Sequence, residues 1–149
     1  MPVKKPIIQV VHGPNLNLLG SRETSVYGKA TLASIETNLK KWAAKENVVL
    51  NFFQSNHEGE IIDCLQRASK CDGMLINPAA LTHTSVGLRD ALLAIAKPVV
   101  EVHLSNVFAR EEFRHHSYIS GIAVGVVTGF GALSYELGLV ALVSHLRGK

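Results

Sequence analysis

Five short apolar runs alternate along the chain with longer segments in which apolar residues recur every three or four positions. The apolar runs are predicted to be β-strands, at residues 7–11, 48–54, 74–76, 99–102 and 122–127. The segments between them carry stripes typical of amphipathic helices, at Leu32/Ile35/Leu39/Trp42, Ile61/Ile62/Leu65/Ala68, Ala91/Leu92/Ile95 and Leu133/Leu137/Val140/Ala141. Strict alternation of strands and helices predicts right-handed crossovers and an all-parallel sheet with helices on both faces.

Capping residues and a proline predict where several helices begin or end. Thr31 is a candidate N-cap of the first long helix, Thr84 or Ser85 begins the third, and Lys97-Pro98 stops it. We therefore expect one α/β domain over residues 1–149, with a flavodoxin-like, doubly wound, five-stranded parallel sheet. In such sheets ligands bind beyond the carboxyl ends of the strands, so the polar segments that follow the strands should carry the chemistry.

The segment between the first strand and the first long helix, residues 12–28, is about three times the usual length of such a connection. Long loops in compact domains tend to be functional or disordered. This one contains three leucines that can pack against the domain, and it also contains Arg22 and Tyr27. We interpret it as an active-site loop.

Composition and charge limit the kinds of partner that the chain is expected to bind. The formal charge is only +3, 18% of the residues are charged, and the sequence contains no basic cluster suited to nucleic acid. Residues 117–135 are uncharged and nearly long enough to span a bilayer, but their four glycines favour a strand, a turn and a helix. If Cys64 and Cys71 share a helix, they lie too far apart for a disulfide. Free thiols, and an N-terminus without a signal-peptide core, predict a cytoplasmic protein that binds no membrane.

Several cofactor and nucleophile motifs are missing from the sequence. There is no P-loop, HExxH or GxSxG motif, and no predicted strand carries a lysine for Schiff-base chemistry. Gly129-Phe130-Gly131 matches only part of a dinucleotide fingerprint, because Ser134 stands at its third glycine position. A flavodoxin-like module that binds FMN or presents a signalling surface stays open as an alternative. Glu101 and His103 share a strand face, a spacing that suits either a metal or a carboxylate that orients an imidazole.

The remaining chemistry is proton transfer. His103, paired with Glu101, can act as an acid, and Tyr27 can act as a base where a cation such as Arg22 stabilises its phenolate. Arg110 or Arg114 suits an anionic group. Neutral side chains suited to hydroxyl groups are those of Asn15, Asn77 and His83. The residues therefore predict a site for a small polyhydroxy acid that works without a cofactor.

Five motifs, in order over nearly the whole chain, resemble those of the type II 3-dehydroquinate dehydratases, or type II dehydroquinases. They are HGPNLNLLG at 12–20, Arg22 through Gly28, QSNHEGE at 54–60, INPAALTHTS at 76–85, and EVHLSN at 101–106 with REEFR at 110–114. The resemblance implies a hydro-lyase that interconverts 3-dehydroquinate and 3-dehydroshikimate by anti elimination through an enolate, without a metal or cofactor. It leaves open a role in the shikimate pathway or in quinate breakdown.

The resemblance also implies catalytic roles. Tyr27 would remove the proton alpha to the ketone as a tyrosinate favoured by Arg22, and Asn15 would help to stabilise the enolate through a held water. His103, oriented by Glu101, would protonate the departing hydroxyl.

Substrate-binding residues and an assembly follow from the same resemblance. Asn77, His83 and Arg114 would hold substrate hydroxyls, and the backbone of Leu104 and Ser105 would bind the carboxylate. Asp90 would reach the site of a neighbouring subunit in a homododecamer built as a tetramer of trimers. The chain departs from common family residues at three places, Thr24 (often Pro), Ala79-Ala80 (often a pair with Gly) and Phe108 (often His).

Overall fold

The computed structural model describes residues 4–21 and 23–148. At its centre is a five-stranded parallel sheet in the order β2-β1-β3-β4-β5. The strands are β1 (Ile7–His12), β2 (Val49–Gln54), β3 (Gly73–Asn77), β4 (Val99–His103) and β5 (Gly125–Thr128). The predicted α/β class and parallel flavodoxin-like sheet are thus confirmed, and the strand order reverses between β1 and β3, where such folds bind ligands.

Five α-helices cover the sheet. They are α1 (Thr24–Tyr27), α2 (Leu32–Glu46), α3 (Glu58–Arg67), α4 (Val86–Ile95) and α5 (Leu133–Leu146). Residues of α2 and α5 pack against one face of the sheet in one apolar cluster, and residues of α3 and α4 pack against the other face in a second. This arrangement leaves the carboxyl edge of the strands to the connecting loops.

The predicted starts of two helices are confirmed by their caps. Thr31 and Ser34 form a reciprocal capping box, in which the Ser34 amide donates to Thr31 Oγ1 at 3.1 Å. Ser85 is the N-cap of α4, and its Oγ accepts from the Leu88 amide at 2.8 Å. These short-range hydrogen bonds explain why the caps can be predicted from sequence.

The prediction of which face of α5 is buried is wrong. Leu133, Leu137 and Val140 are 49%, 40% and 43% exposed, and Ala141 is exposed too. The face that packs on the sheet consists of Tyr135, Gly138, Leu139, Leu142 and Val143. Because α5 is apolar on most of its circumference, periodicity alone does not identify the buried face.

Two smaller expectations also need correction. β5 begins at Gly125 rather than at residue 122, because Ser120–Ile122 form a 3₁₀ turn before it. Cys64 and Cys71 do not share a helix, since α3 ends at Arg67. Both thiols are free and buried, and burial raises the pKa of each.

The uncharged segment 117–135 contains the 3₁₀ turn, β5 and the start of α5. Within the described part of the chain, every helix is too short or too polar to cross a bilayer.

Candidate active site

One pocket lies at the carboxyl edge of the sheet, beside the ends of β1, β3 and β4. Eight of the predicted site residues line it, from four separate segments of the chain: Asn15, Tyr27, Asn77, His83, His103, Leu104, Ser105 and Arg114. Glu101 lies behind the pocket, and Arg22 falls outside the described residues. The structure therefore brings together most of the residues that the sequence singles out.

The loop after β1 is fixed by contacts at its base. The Gly13 amide donates to the Asn77 carbonyl at 2.8 Å, and a Cβ on Gly13 would lie 2.5 Å from the Pro78 carbonyl oxygen. Asn15 follows in a left-handed conformation with φ of 70°, and its amide donates to Asn56 Oδ1 at 2.9 Å. Only glycine fits the close approach at position 13, so the loop and the end of β3 are held in contact.

Tyr27 contacts a cation that its own loop does not supply. Nη1 of Arg110 lies 3.1 Å from the Tyr27 phenol oxygen, and the guanidinium carbon lies 5.4 Å from the ring centroid. The same Nη1 donates to Ser105 Oγ at 3.3 Å. The guanidinium thus places a positive charge and a hydrogen-bond donor at the phenol oxygen. The sequence indicated Arg110 only as a candidate partner for an anion, so its contact with Tyr27 was missed.

His103 and Glu101 form a buried acid–carboxylate pair. His103 Nε2 is hydrogen-bonded to Glu101 Oε2, and the two residues are 7% and 0% exposed. Burial alone would raise the pKa of Glu101, but the hydrogen bond and charge of His103, together with hydrogen bonds from Thr82 and Ser120, hold that pKa below its usual value. The spacing on β4 therefore produces the oriented imidazole that was one of its two interpretations. Among residues 4–21 and 23–148, no group of three His, Cys, Asp or Glu side chains could hold a metal ion.

His83 stacks against His103 at the pocket wall. The two ring centroids are 6.4 Å apart with an interplanar angle of 17°, and His83 Nδ1 is hydrogen-bonded to the His116 carbonyl at 2.8 Å. Burial, together with the nearby charges of His103 and Arg114, lowers the pKa of His83. A neutral His83 can bind a hydroxyl group without competing with His103 for a proton.

Asn77 is held from behind by two fully buried side chains. The phenol of Tyr135 interacts with the Asn77 side chain, and its oxygen lies 2.8 Å from His12 Nδ1. Burial lowers the pKa of His12 to about 4 and raises the pKa of Tyr135, so both are neutral at pH 7. Asn77 Oδ1 also accepts from the amide of Ala79, which has a left-handed φ of 52°. Glycine adopts that conformation without strain, so the departure from the family pattern at Ala79 has a structural cost.

Asp90 and the turn at residues 129–131 do not line this pocket. Asp90 is exposed on α4 and does not line the pocket of its own chain. In the Gly129-Phe130-Gly131 turn, the glycine amides donate to the carbonyls of His103 and Leu104, at 3.2 and 2.9 Å. The Phe130 amide donates to Ser134 at 3.0 Å. These amides already donate to groups of the protein, so the turn does not offer the free amides with which a nucleotide site binds phosphate.

Comparisons with known proteins agree with this geometry. The family described as "Dehydroquinase class II" matches residues 6–143. The 3-dehydroquinate dehydratase of Acaryochloris marina is 55% identical over 146 residues, which cover 97% of this chain and 98% of that protein. The crystal structure of a type II dehydroquinase from Butyrivibrio crossotus matches with a TM-score of 0.92 at 40% identity, covering 94% of this chain and 99% of the other. The corresponding structure from Propionibacterium acnes gives 0.89 at 35% identity, with 94% and 97% covered. The chain belongs to the class II dehydroquinase family.

Proposed function

We propose that this protein is a type II 3-dehydroquinate dehydratase, a hydro-lyase that converts 3-dehydroquinate to 3-dehydroshikimate. The observation that carries the proposal is the presence of two proton-transfer pairs at one pocket. Tyr27 with Arg110 forms a phenol beside a cation, and His103 with Glu101 forms an imidazole beside a buried carboxylate. Membership of the family and the similarity to named dehydratases support the same reaction.

Tyr27 is the proposed base of the first step. As a phenolate it removes the proton alpha to the substrate ketone, and the positive charge of Arg110 stabilises the phenolate before that transfer. The electron pair of the broken C–H bond moves onto the ketone oxygen and forms an enolate. Asn15, which lines the pocket, helps to stabilise the enolate oxygen, and Arg22 adds positive charge from the same loop as Tyr27.

His103 is the proposed acid of the second step. The enolate collapses, the carbon–oxygen bond to the leaving hydroxyl breaks, and His103 supplies the proton that turns this hydroxyl into water. Glu101 binds Nε2 of the imidazole, so Nδ1 is the nitrogen that gives up the proton. Glu101 fixes the ring and stabilises its positive charge before the transfer.

The other polar residues of the pocket bind the substrate. Asn77, His83 and Arg114 hold its hydroxyl groups, and backbone amides of Leu104 and Ser105 bind its carboxylate at the end of β4. The side chains of Asn77, His83 and Arg114 can hydrogen-bond to hydroxyl groups, and backbone N–H groups can donate to a carboxylate. The proposed reaction consumes no cofactor, because a base and an acid are enough for elimination of water next to a ketone.

We also propose a homododecamer in the cytoplasm, built as a tetramer of trimers. In the chain by itself, α5 exposes the apolar side chains of Leu133, Leu137 and Val140, and the edge strand β5 exposes Val126. Apolar surfaces of this kind mark interaction sites, and an edge strand leaves backbone groups without a neighbouring strand. Asp90, exposed on α4, would complete the site of a neighbouring subunit.

The proposed activity is tested with purified protein and 3-dehydroquinate. The product contains a conjugated enone, so ultraviolet absorbance should rise without any added cofactor. Folded protein that produces no such rise would contradict the assignment. A yellow preparation with a flavin spectrum would instead favour an FMN-binding module.

A further inference from the structure

The carboxylate of Glu101 is surrounded by hydroxyl groups that no step of the proposed reaction uses. Glu101 is 0% exposed, and a buried carboxylate is costly unless its oxygens accept hydrogen bonds. Its neighbours on the side away from the pocket are Thr82, Ser117 and Ser120. We refer to these three residues as the hydroxyl cluster.

All three members of the hydroxyl cluster contact the carboxylate, and Thr82 and Ser120 make the two shortest hydrogen bonds. Thr82 Oγ1 donates to Glu101 Oε2 at 2.7 Å, and Ser120 Oγ donates to Oε1 at 2.7 Å. An ionised carboxylate only accepts hydrogen bonds, whereas a protonated carboxyl must also donate one. Because both hydroxyls approach as donors, this arrangement favours the ionised form of Glu101.

Ser117 lies between backbone amides, Thr82 and the carboxylate. Its Oγ accepts from the amides of Ile119 and Ser120, both at 3.0 Å, and lies 2.6 Å from Thr82 Oγ1. The same oxygen lies 3.2 Å from Glu101 Oε1 and 3.3 Å from Oε2. Since Thr82 uses its only proton for Glu101, the Ser117 hydroxyl is shared between Thr82 and the carboxylate. Hydrogen bonds therefore run from two backbone amides through Ser117 towards the carboxylate, and such chains strengthen each member.

The hydroxyl cluster joins two segments that are distant in the sequence. Thr82 belongs to the 3₁₀ turn Ala79–His83 after β3, while Ser117 and Ser120 precede β5. The Tyr118 amide also donates to the Thr82 carbonyl at 2.8 Å, which locks these segments together. Thr82 is fully buried behind the pocket, so its hydroxyl acts on the reaction through Glu101 rather than on the substrate.

We propose that Thr82, Ser117 and Ser120 are positioning residues that keep Glu101 ionised and thereby keep the His103 imidazole in its charged, more acidic form. Without these donors, a buried carboxylate would compete for the proton on Nε2, giving a neutral imidazole and a neutral carboxyl. The proton on Nδ1 would then belong to a weaker acid and would be transferred less readily to the leaving hydroxyl. The titratable groups near Glu101 are His103, which binds it, and His83, which stacks on His103. The proposal rests on the proposed function, because it gives the cluster a role in the acid step.

Kinetics against pH distinguish this role from a purely structural one. In Ser120→Ala and in Thr82→Val, the loss of activity on acidification should begin about one pH unit higher than in wild type, since a donor to a charged group is lost. Ser120→Thr keeps a hydroxyl and should restore the wild-type profile. Ser134→Ala is the matched control, because it removes a fully buried hydroxyl that binds the Phe130 amide instead. Its profile should not move.

A measurement without substrate separates this proposal from the assigned reaction. Carbon-13 NMR of the glutamate carboxyl groups, with the Glu101 signal identified by its loss in Glu101→Gln, follows the carboxyl directly. The titration of Glu101 should move to higher pH in Ser120→Ala and in Thr82→Val. Unchanged titrations in folded variants would overturn the proposal even if turnover falls. A shifted titration would uphold the ionising effect even if 3-dehydroquinate is not the substrate. If Thr82→Val does not fold, Ser120→Ala alone decides.

Discussion

The phenol oxygen of Tyr27 lies 3.1 Å from Nη1 of Arg110, which follows it by 83 positions in the chain. Tyr27 ends α1 in the loop after β1, whereas Arg110 follows the 3₁₀ turn Val107–Ala109 after β4. The contact therefore forms only when the two loops dock against each other. The docking of the two loops therefore places the cation beside the proposed base.

Arg110→Gln tests that coupling. Loss of the cation removes a stabilising charge from the phenolate, so kcat should fall by about 10²-fold at neutral pH. Arg67→Gln, which removes an exposed cation from α3, is the control and should leave the rate unchanged. An Arg110→Gln enzyme with the wild-type rate would show that this contact does not assist the base.

His12 makes stability depend on pH with a defined sign. The folded protein keeps the His12 imidazole neutral until about pH 4, whereas the unfolded chain takes up this proton near pH 6.5. The unfolded state thus binds more protons between these values, and the free energy of unfolding falls as pH is lowered through that window. The contribution of His12 amounts to about 3 kcal/mol and levels off below pH 4.

Denaturant titrations at several pH values measure this effect. Wild type should lose stability more steeply between pH 6.5 and 4 than His12→Asn, which carries no titratable group at this position. The substitution also changes the hydrogen bond to Tyr135, which alters stability at every pH. The slopes of stability against pH are therefore compared, rather than the stabilities themselves. Equal slopes in the two proteins would contradict a neutral, buried His12.

Gly138 sets how closely α5 approaches the sheet. An added Cβ would lie 2.5 Å from Val102 Cγ1 and 2.9 Å from Leu75 Cδ1. Val102 is buried and has a stiff side chain, so Gly138→Ala should lower the free energy of unfolding by about 1–3 kcal/mol despite the better helix propensity of alanine. Gly121→Ala is the matched control, since nothing lies within 4 Å of its Cβ position. Equal stability of the two variants would mean that α5 packs less closely than described.

The exposed apolar side chains of α5 lead to a prediction about assembly. Wild type should sediment as a dodecamer, and Leu137→Glu or Val140→Glu should shift the protein to smaller species, because either places a charge in an apolar interface. Val49→Glu is the control, because it changes a side chain of similar exposure on β2, at the opposite edge of the sheet. It should sediment like the wild type. A charge on α5 that leaves the sedimentation unchanged would place the interface elsewhere.

Local patterns explain what the sequence could predict. The Thr31 and Ser85 caps and the Glu101–His103 pair depend on residues a few positions apart. Each of these signals lies within one short stretch of chain, so no tertiary information is needed to find it. The parallel sheet follows from the alternation of strands and helices along the chain.

The features that were missed depend on tertiary contacts. The buried face of α5 could not be found from periodicity, because Leu133 and Leu137 are as apolar as the residues that pack inside. The Arg110 contact and the hydroxyl donors to Glu101 join side chains from separate loops. Their spacing carries no signal along the chain, and only the docking of the loops reveals which polar groups meet.

In the proposed reaction, Tyr27 removes a substrate proton and His103 supplies one to the leaving hydroxyl. The rise in enone absorbance from 3-dehydroquinate, compared for wild type, Tyr27→Phe and His103→Ala, tests both roles. Wild type should form the product without a cofactor. Tyr27→Phe, which keeps the ring beside Arg110 but lacks the phenol oxygen, should lose activity by at least about 10²-fold while staying folded, and His103→Ala should do the same. Turnover at the wild-type rate in folded Tyr27→Phe would contradict the role of Tyr27 as the base.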